Sequence, residues 1–291
     1  MTDQAASLRV IRGEGRDAAL PRRERAIAVT GGKGGVGKST IAVGLATAYA
    51  RGGSRTLLVD ADLGMADLNL LLGVAPSRSL LDALTGAPVD DIVVQAHGIS
   101  LLPALNGSYA LATMGETGRR RTLELVEHLA GRFDTVVVDI AAGIGATQAT
   151  FAAAAADTVV VVNPEPLSMA DAYACLKVLV SHHGMRHAYV VPNRVTSQGQ
   201  ADDIVGRLGD LVTRFLDLRL TPLPAVPSDP AVSEAAQLGV PLLIQRPDSP
   251  AARGIARVAR ALDAVAAPDE RIAATRGFWR RHLTAASGDA P

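Results

Sequence analysis

The 291-residue sequence has one cysteine, Cys175, so it forms no internal disulfide and cannot alone supply a thiolate cluster. That fits a reducing cytoplasm and excludes a self-contained iron–sulfur centre or a Cys-rich zinc site. No stretch approaches the roughly 18 apolar residues of a membrane span. The first residues, MTDQAASLRVIRGEGRDA, carry acids and arginines where a signal peptide needs an apolar run. A soluble protein is expected. An excess charge is missing as well: 29 basic and 29 acidic residues cancel. No whole-molecule field therefore draws the chain onto nucleic acid or an anionic membrane, and any such contact has to come from a local patch. Lysine is the last scarcity, with only Lys33, Lys38 and Lys177 among the 29 basic residues. Two of these lie five residues apart in a glycine-rich stretch. Where a solvated cation suffices this chain uses arginine, so a retained lysine points to a site that needs a compact ammonium.

What is plentiful is apolar material: 48% hydrophobic residues and a mean hydropathy of +0.21 provide for a sizeable core and exclude a disordered or fibrous chain. Residues 1–24 are polar and arginine-rich without a sustained period and read as a flexible arm. From Arg25 short apolar runs alternate with longer amphipathic segments. The runs are AIAVT (26–30), TLLVD (56–60), ISLLP (99–103), TVVVD (135–139), TVVVV (158–162) and AYVVP (188–192). Continuous apolar strands separated by helices predict a parallel sheet covered on both faces. Helices are expected over 38–51, 117–131, 147–156, 168–183, 200–214, 230–238 and 250–266. The fold class is α/β: a doubly wound, mostly parallel sheet in one domain over 25–267, with ligands beyond the carboxyl ends of the strands. Pro268 breaks the chain before a basic tail, 268–291.

Gly32-Lys33-Gly34-Gly35-Val36-Gly37-Lys38-Ser39 satisfies Gly-x-x-x-x-Gly-Lys-Ser and sits where that motif works, after a strand and opening a helix that continues through Thr40. Glycines let successive amides converge on phosphate oxygens and the helix N-terminus adds positive charge. Lys38 reaches the β and γ phosphates, and the Ser39 hydroxyl ligates Mg²⁺. With its second lysine the loop resembles the deviant Walker motif, Lys-Gly-Gly-x-Gly-Lys-[Ser/Thr], of the MinD/ParA class of P-loop ATPases. The resemblance implies ATP and Mg²⁺ as ligands and a role for Lys33: crossing an ATP-dependent homodimer interface to the partner's nucleotide. A cation supplied in trans to a desolvated phosphate is worth roughly 10³ to 10⁵ in rate.

Asp60-Ala-Asp62-Leu-Gly64 looks like the switch I segment of that class, which implies Asp60 near the Mg²⁺ shell and Asp62 orienting the attacking water. Without the loop upstream, a capping aspartate and a turn would explain both. Asp139-Ile-Ala-Ala-Gly143 fits the Walker B and switch II pattern, placing the Asp139 carboxylate at the Mg²⁺. Asn193 matches the position where the class reads adenine, and Pro227-Ser228-Asp229 resembles its second base-side loop.

Two end segments narrow the class. Asp3-Gln4-Ala5-Ala6-Ser7-Leu8-Arg9 resembles the Asp-Gln-Ala-x-x-Leu-Arg motif of the FlhG family (also called FleN or YlxH), MinD-like regulators of flagellar number and placement. That resemblance implies that Asp3, Gln4, Ala5, Leu8 and Arg9 fold against an FlhF-type signal-recognition GTPase and stimulate it, with flagellar switch proteins or a transcription regulator as further partners. In RIAATRGFWRRHL (271–283), Ile272, Trp279 and Leu283 share one helical arc with Phe278 flanking, while arginines point elsewhere. Such a basic helix reads as a reversible anchor on the inner face of the cell membrane, with a helix packed on the domain as the bland alternative. A MinD-like division-site ATPase and a ParA-like DNA-partitioning ATPase remain open. Scarce lysine and balanced charge weigh against DNA. A non-enzymatic nucleotide-binding scaffold is disfavoured by the two switch aspartates.

Overall fold

The apolar runs pair side by side as the centre of one sheet in the computed structural model, which describes residues 25–62, 66–104 and 115–265. The chain begins with β1 (Arg25–Thr30), α1 (Lys38–Arg51), β2 (Thr56–Ala61), α2 (Leu68–Leu71), α3 (Leu80–Leu84), β3 (Val94–Ala96) and β4 (Ile99–Leu102). It continues through α4 (Glu116–Ala130), β5 (Thr135–Ile140), α5 (Ala146–Ala154), β6 (Asp157–Val162), α6 (Pro166–His183) and β7 (His187–Val195). The remainder is α7 (Gln198–Phe215), β8 (Arg219–Pro222), β9 (Val226–Pro227), α8 (Ala231–Leu238), α9 (Leu242–Gln245) and α10 (Pro250–Val265). The strand order is β3-β4-β2-β5-β1-β6-β7-β8, with β9 paired to β7. Every pair is parallel except the β3–β4 hairpin.

Alternation within the strands builds two faces. Ile27 and Val29 of β1 join Val137, Val159 and Tyr189 under α1, α9 and α10, whereas Ala26 and Ala28 join Val136 and Val138 under α4, α5 and α6. A third cluster packs Val160, Val162 and Val190 against α6 and α7. The two-sided α/β sheet expected from the sequence is therefore present. Strands β3, β8 and β9 differ from the expectation, which had no strands there. They are two to four residues long, and β8 is half-exposed, so none carries the continuous apolar run of a buried strand.

Helix α1 is buried nearly all round because it lies between the sheet and α10. A Cβ at Gly44 would come within 2.7 Å of the Ile255 side chain, which is how closely the two helices approach. At the amino ends of the strands, the Arg25 guanidinium reaches Asp157 Oδ2 (2.8 Å), Asp263 Oδ1 (2.9 Å) and the Leu262 carbonyl (3.0 Å). The close of α10 is thereby fixed beside the start of β1. The opposite, carboxyl ends of the strands carry the residues singled out in the sequence. Among the described residues no helix is long and apolar enough to cross a membrane.

Candidate functional site

The loop between β1 and α1 is shaped by what presses on it. A Cβ at Gly32 would sit 2.0 Å from the Asp171 backbone of α6, so only glycine allows that approach. Gly37 precedes α1 at φ +96°, and a Cβ there would lie 2.3 Å from the Asn193 amide nitrogen. Gly34 and Gly35 are the reverse case, with open space where a Cβ would be, and both line a cleft of about 1140 Å³. Lys38, 8% exposed, and Ser39 and Thr40 line that cleft at the first turn of α1. Half-buried Asp62 lines it too, together with Arg119 of α4 and Gln148 of α5.

The acidic residues are placed by sheet register. Asp60 of β2 is the direct partner of Asp139 of β5, so the two carboxylates project side by side. They share the face of Leu58 and Val137, which is the face that α1 covers. Each residue is 2% exposed. Burial, and then the Asp139 charge, pushes the Asp60 carboxyl well above the usual carboxylate range, although the Asp62 amide donates to its Oδ1 at 3.1 Å. Burial likewise pushes Asp139 up to about 7, against the Ser39 hydroxyl and the Lys38 ammonium, which hold it down. Asp139 Oδ1 is buried with no hydrogen-bond partner among the described residues.

Lys33, at the rim, pairs through its ammonium with Glu165 Oε2, and that contact holds the Glu165 carboxyl below its ordinary range. Glu165 also accepts from Asn163 Nδ2 at 3.0 Å. On the far side of Gly37 and Thr40 lies a second cavity of about 400 Å³, lined by Asn193, Pro227 and Asp229 among others. Two of these residues also have partners within the protein. One hydrogen of the Asn193 amide already goes to the Val36 carbonyl at 2.7 Å, tying β7 to the phosphate loop. Asp229 Oδ1 accepts from the Ala231 amide (3.0 Å) and Oδ2 from the Ala251 amide (2.9 Å). Partial burial raises the Asp229 carboxyl, but those amides outweigh it and hold it below the ordinary range. Asp229 therefore joins α8 to α10 and shapes the cavity wall with both oxygens engaged.

A family model of the ParA group, described as NUBPL iron-transfer P-loop NTPase, matches residues 22–263. The chain belongs to the ParA family of P-loop NTPases. The antiactivator FleN of Pseudomonas aeruginosa is 36% identical over 239 residues, 81% of this chain and 85% of FleN. The flagellum site-determining protein YlxH of Helicobacter pylori is 37% identical over 154 residues, 52% of each chain. The solved septum site-determining protein MinD of Pyrococcus horikoshii, complexed with Mg-ADP, superposes with a TM-score of 0.68 at 25% identity, covering 82% of this chain and 96% of that one. The single cysteine, Cys175, belongs to α6 and is 4% exposed.

The donor set fits a ParA-family ligand. A hydroxyl and a buried carboxylate with an unpartnered oxygen are the hard oxygen donors that Mg²⁺ takes, and the open faces of Gly34 and Gly35 suit phosphate. Sequence reasoning missed Glu165, Arg119, Gln148 and Arg194. The signal for two of them was position: Glu165 lies just past the carboxyl end of β6, and Arg194 in the carboxyl-terminal part of β7. The candidate partner residues Asp3, Gln4, Ala5, Leu8 and Arg9, the tail residues Ile272, Phe278, Trp279 and Leu283, and Gly64 lie outside the described residues.

Proposed function

We propose that this ParA-family chain is an ATP-driven switch that dimerises on binding ATP and Mg²⁺, hydrolyses ATP, and regulates the number or placement of flagella. The chemistry rests on the two aspartates held in register behind a Gly-Lys-Ser loop. The flagellar assignment rests on 36% identity to FleN across most of both chains, with YlxH in support.

In this reading the amides of Gly34, Val36 and Gly37 and the start of α1 bind phosphate oxygens. Lys38, confined by burial, neutralises the β and γ phosphates. Ser39 and Asp139 hold Mg²⁺, with Asp60 as the second negative charge behind them; bound there, the ion offsets the charge of the triphosphate. Asp62, at the cleft wall, orients the attacking water. Asn193, Pro227 and the Asp229 loop enclose the base. Lys33 acts in the partner's site. Its pairing with Glu165 is a surface ion pair, with the two side chains 34% and 54% exposed, and such pairs are worth about 0–1 kcal/mol. Transfer to a desolvated triphosphate outweighs that, so the resting pair is a weak restraint.

The arm over 1–24 and the tail over 268–291 carry the output. Asp3, Gln4, Ala5, Leu8 and Arg9 stimulate an FlhF-type GTPase, and Ile272, Phe278, Trp279 and Leu283 bind an anionic membrane surface reversibly. One weak anchor per chain becomes an effective pair in the dimer. The Arg25 cluster supports joint presentation, because the domain's first strand and last helix meet there. Phosphate release and light scattering in ATP and Mg²⁺ test the core of the proposal. Wild type is expected to turn over and dimerise, Lys38→Ala to do neither, and Lys33→Ala to bind ATP yet stay monomeric. A Lys33→Ala chain that dimerises like wild type refutes the role in trans.

A further inference from the structure

Arg194 has a backbone that needs explaining. It holds φ +57°, and among the described residues only His97 is another non-glycine residue at positive φ. Such a conformation costs roughly 1–2 kcal/mol for a residue with a Cβ. The sheet shows where it comes from. Asn193 pairs with Val226 and Val195 with Pro227, and the register shifts between the two, so Arg194 is the irregular residue of a bulge. The bulge lets three successive side chains take unrelated directions. Asn193 turns into the phosphate loop at the Val36 carbonyl, Val195 returns to the core at 5% exposure, and Arg194 is left exposed between them.

Its location is specific. Gly37, Thr40 and Arg194 line both the 1140 Å³ cleft and the 400 Å³ cavity, and of the three only Arg194 carries charge. Its positive charge also acts on the Glu165 carboxylate, the group that holds Lys33. The chain thus maintains an unfavourable backbone to set a guanidinium at the junction between the phosphate side and the base side of its site.

From this we infer that Arg194 is a nucleotide-binding residue whose guanidinium bonds the phosphate oxygens nearest the ribose, where the two cavities meet. This deepens the proposed function and rests on its reading that one nucleotide spans both cavities. A guanidinium presents several donors in a fixed fork suited to phosphate oxygens. ATP and ADP share the contact, and a ligand without phosphates lacks it.

Arg194→Asn and Arg194→Gly test the inference without the usual ambiguity, because both residues tolerate positive φ and the bulge is kept. Affinities of the full chain are measured by competition against N-methylanthraniloyl-ATP, using ATP, ADP and adenosine in Mg²⁺, with thermal melting alongside. Both variants are expected to lose about tenfold for ATP and for ADP alike, to bind adenosine as wild type does, and to melt no lower than wild type. Arg194→Lys is expected to recover part of the loss. The inference is overturned if ATP and ADP affinities stay within twofold of wild type, or if adenosine weakens by the same factor as ATP. Lys38→Ala in the same titration keeps the two claims apart. Binding that requires Lys38 and ignores Arg194 sinks this inference alone, and a wild type that binds no nucleotide sinks the proposed function with it.

Discussion

Asp139→Asn separates what the buried carboxylate does for the site from what it does to the fold. Burial lifts this carboxyl from an ordinary 3.8 to about 7. That rise of about three pH units is on the order of 4 kcal/mol at 1.36 kcal/mol per unit. The native chain binds this proton more tightly than the unfolded chain. The stability it contributes is therefore fully present below about pH 4, declines as pH rises to about 7, and is absent above. Asparagine has the same shape and carries no charge at any of these values. Urea unfolding with chelator and without nucleotide, repeated between pH 5 and 8, is expected to find Asp139→Asn increasingly more stable than wild type. The gap should reach a few kcal/mol at pH 8: groups remote from Asp139 cancel in the difference, and Asp60, relieved of the Asp139 charge in the variant, shifts the gap in the same direction. Mg²⁺-dependent ATP turnover is expected to vanish in the same variant. A gap that stays constant from pH 5 to 8 would mean that the carboxylate is not desolvated, and the reasoning fails.

Asp62→Ala should bind ATP and accumulate as dimer while phosphate release drops at least 100-fold; undiminished release moves the water-orienting role elsewhere. Arg25→Met leaves Asp157 and Asp263 without their guanidinium and should cost about 3–5 kcal/mol in urea unfolding, with ATP affinity unchanged. Deleting residues 1–9 should keep ATPase activity and abolish stimulation of an FlhF-type GTPase, which a coupled GTPase assay reads directly. Trp279→Glu should weaken sedimentation of the ATP-bound chain with anionic liposomes, and unchanged sedimentation favours a tail packed on the domain.

Burial decides how far the fold can be read from the chain. The runs that became β1, β2, β5 and β6 carry apolar side chains on both faces because helices cover both sides of the sheet, and their expected limits agree with the structure within a residue. Strands β8 and β9 are ordered by pairing with β7, an interaction that leaves no local pattern at Arg219–Pro222 or Val226–Pro227. The site divides in the same way. Gly32 to Ser39 is contiguous, so its geometry is written in a local motif. Glu165, just past the end of β6, meets Lys33, and Arg194, near the end of β7, lines the cleft beside Thr40; only the crossovers bring them there. Asp229 shows the reverse: the resemblance of its loop to a base-side loop suggested a ligand contact, and the structure adds that its two oxygens hold the starts of α8 and α10.

The register of β2 and β5 gives the aspartate pair its physical meaning. Six consecutive residues pair, Thr56 with Thr135 through Ala61 with Ile140, and the side chains of both strands are buried on each face. A slip by one residue would turn Leu58 and Val137 out of their core and bring the opposite set in, so the pairing cannot yield to relieve Asp60 and Asp139. Two desolvated carboxylates locked side by side can be neutralised only by a proton or a cation. The Lys38 ammonium answers part of that demand, yet Asp139 still lies near 7 and keeps an unpartnered oxygen. What remains is an electrostatic deficit that weakens the fold and that the divalent cation of the proposed function would remove. Under the proposed function, the stability forgone at this one rung of the sheet would be recovered when the cation binds.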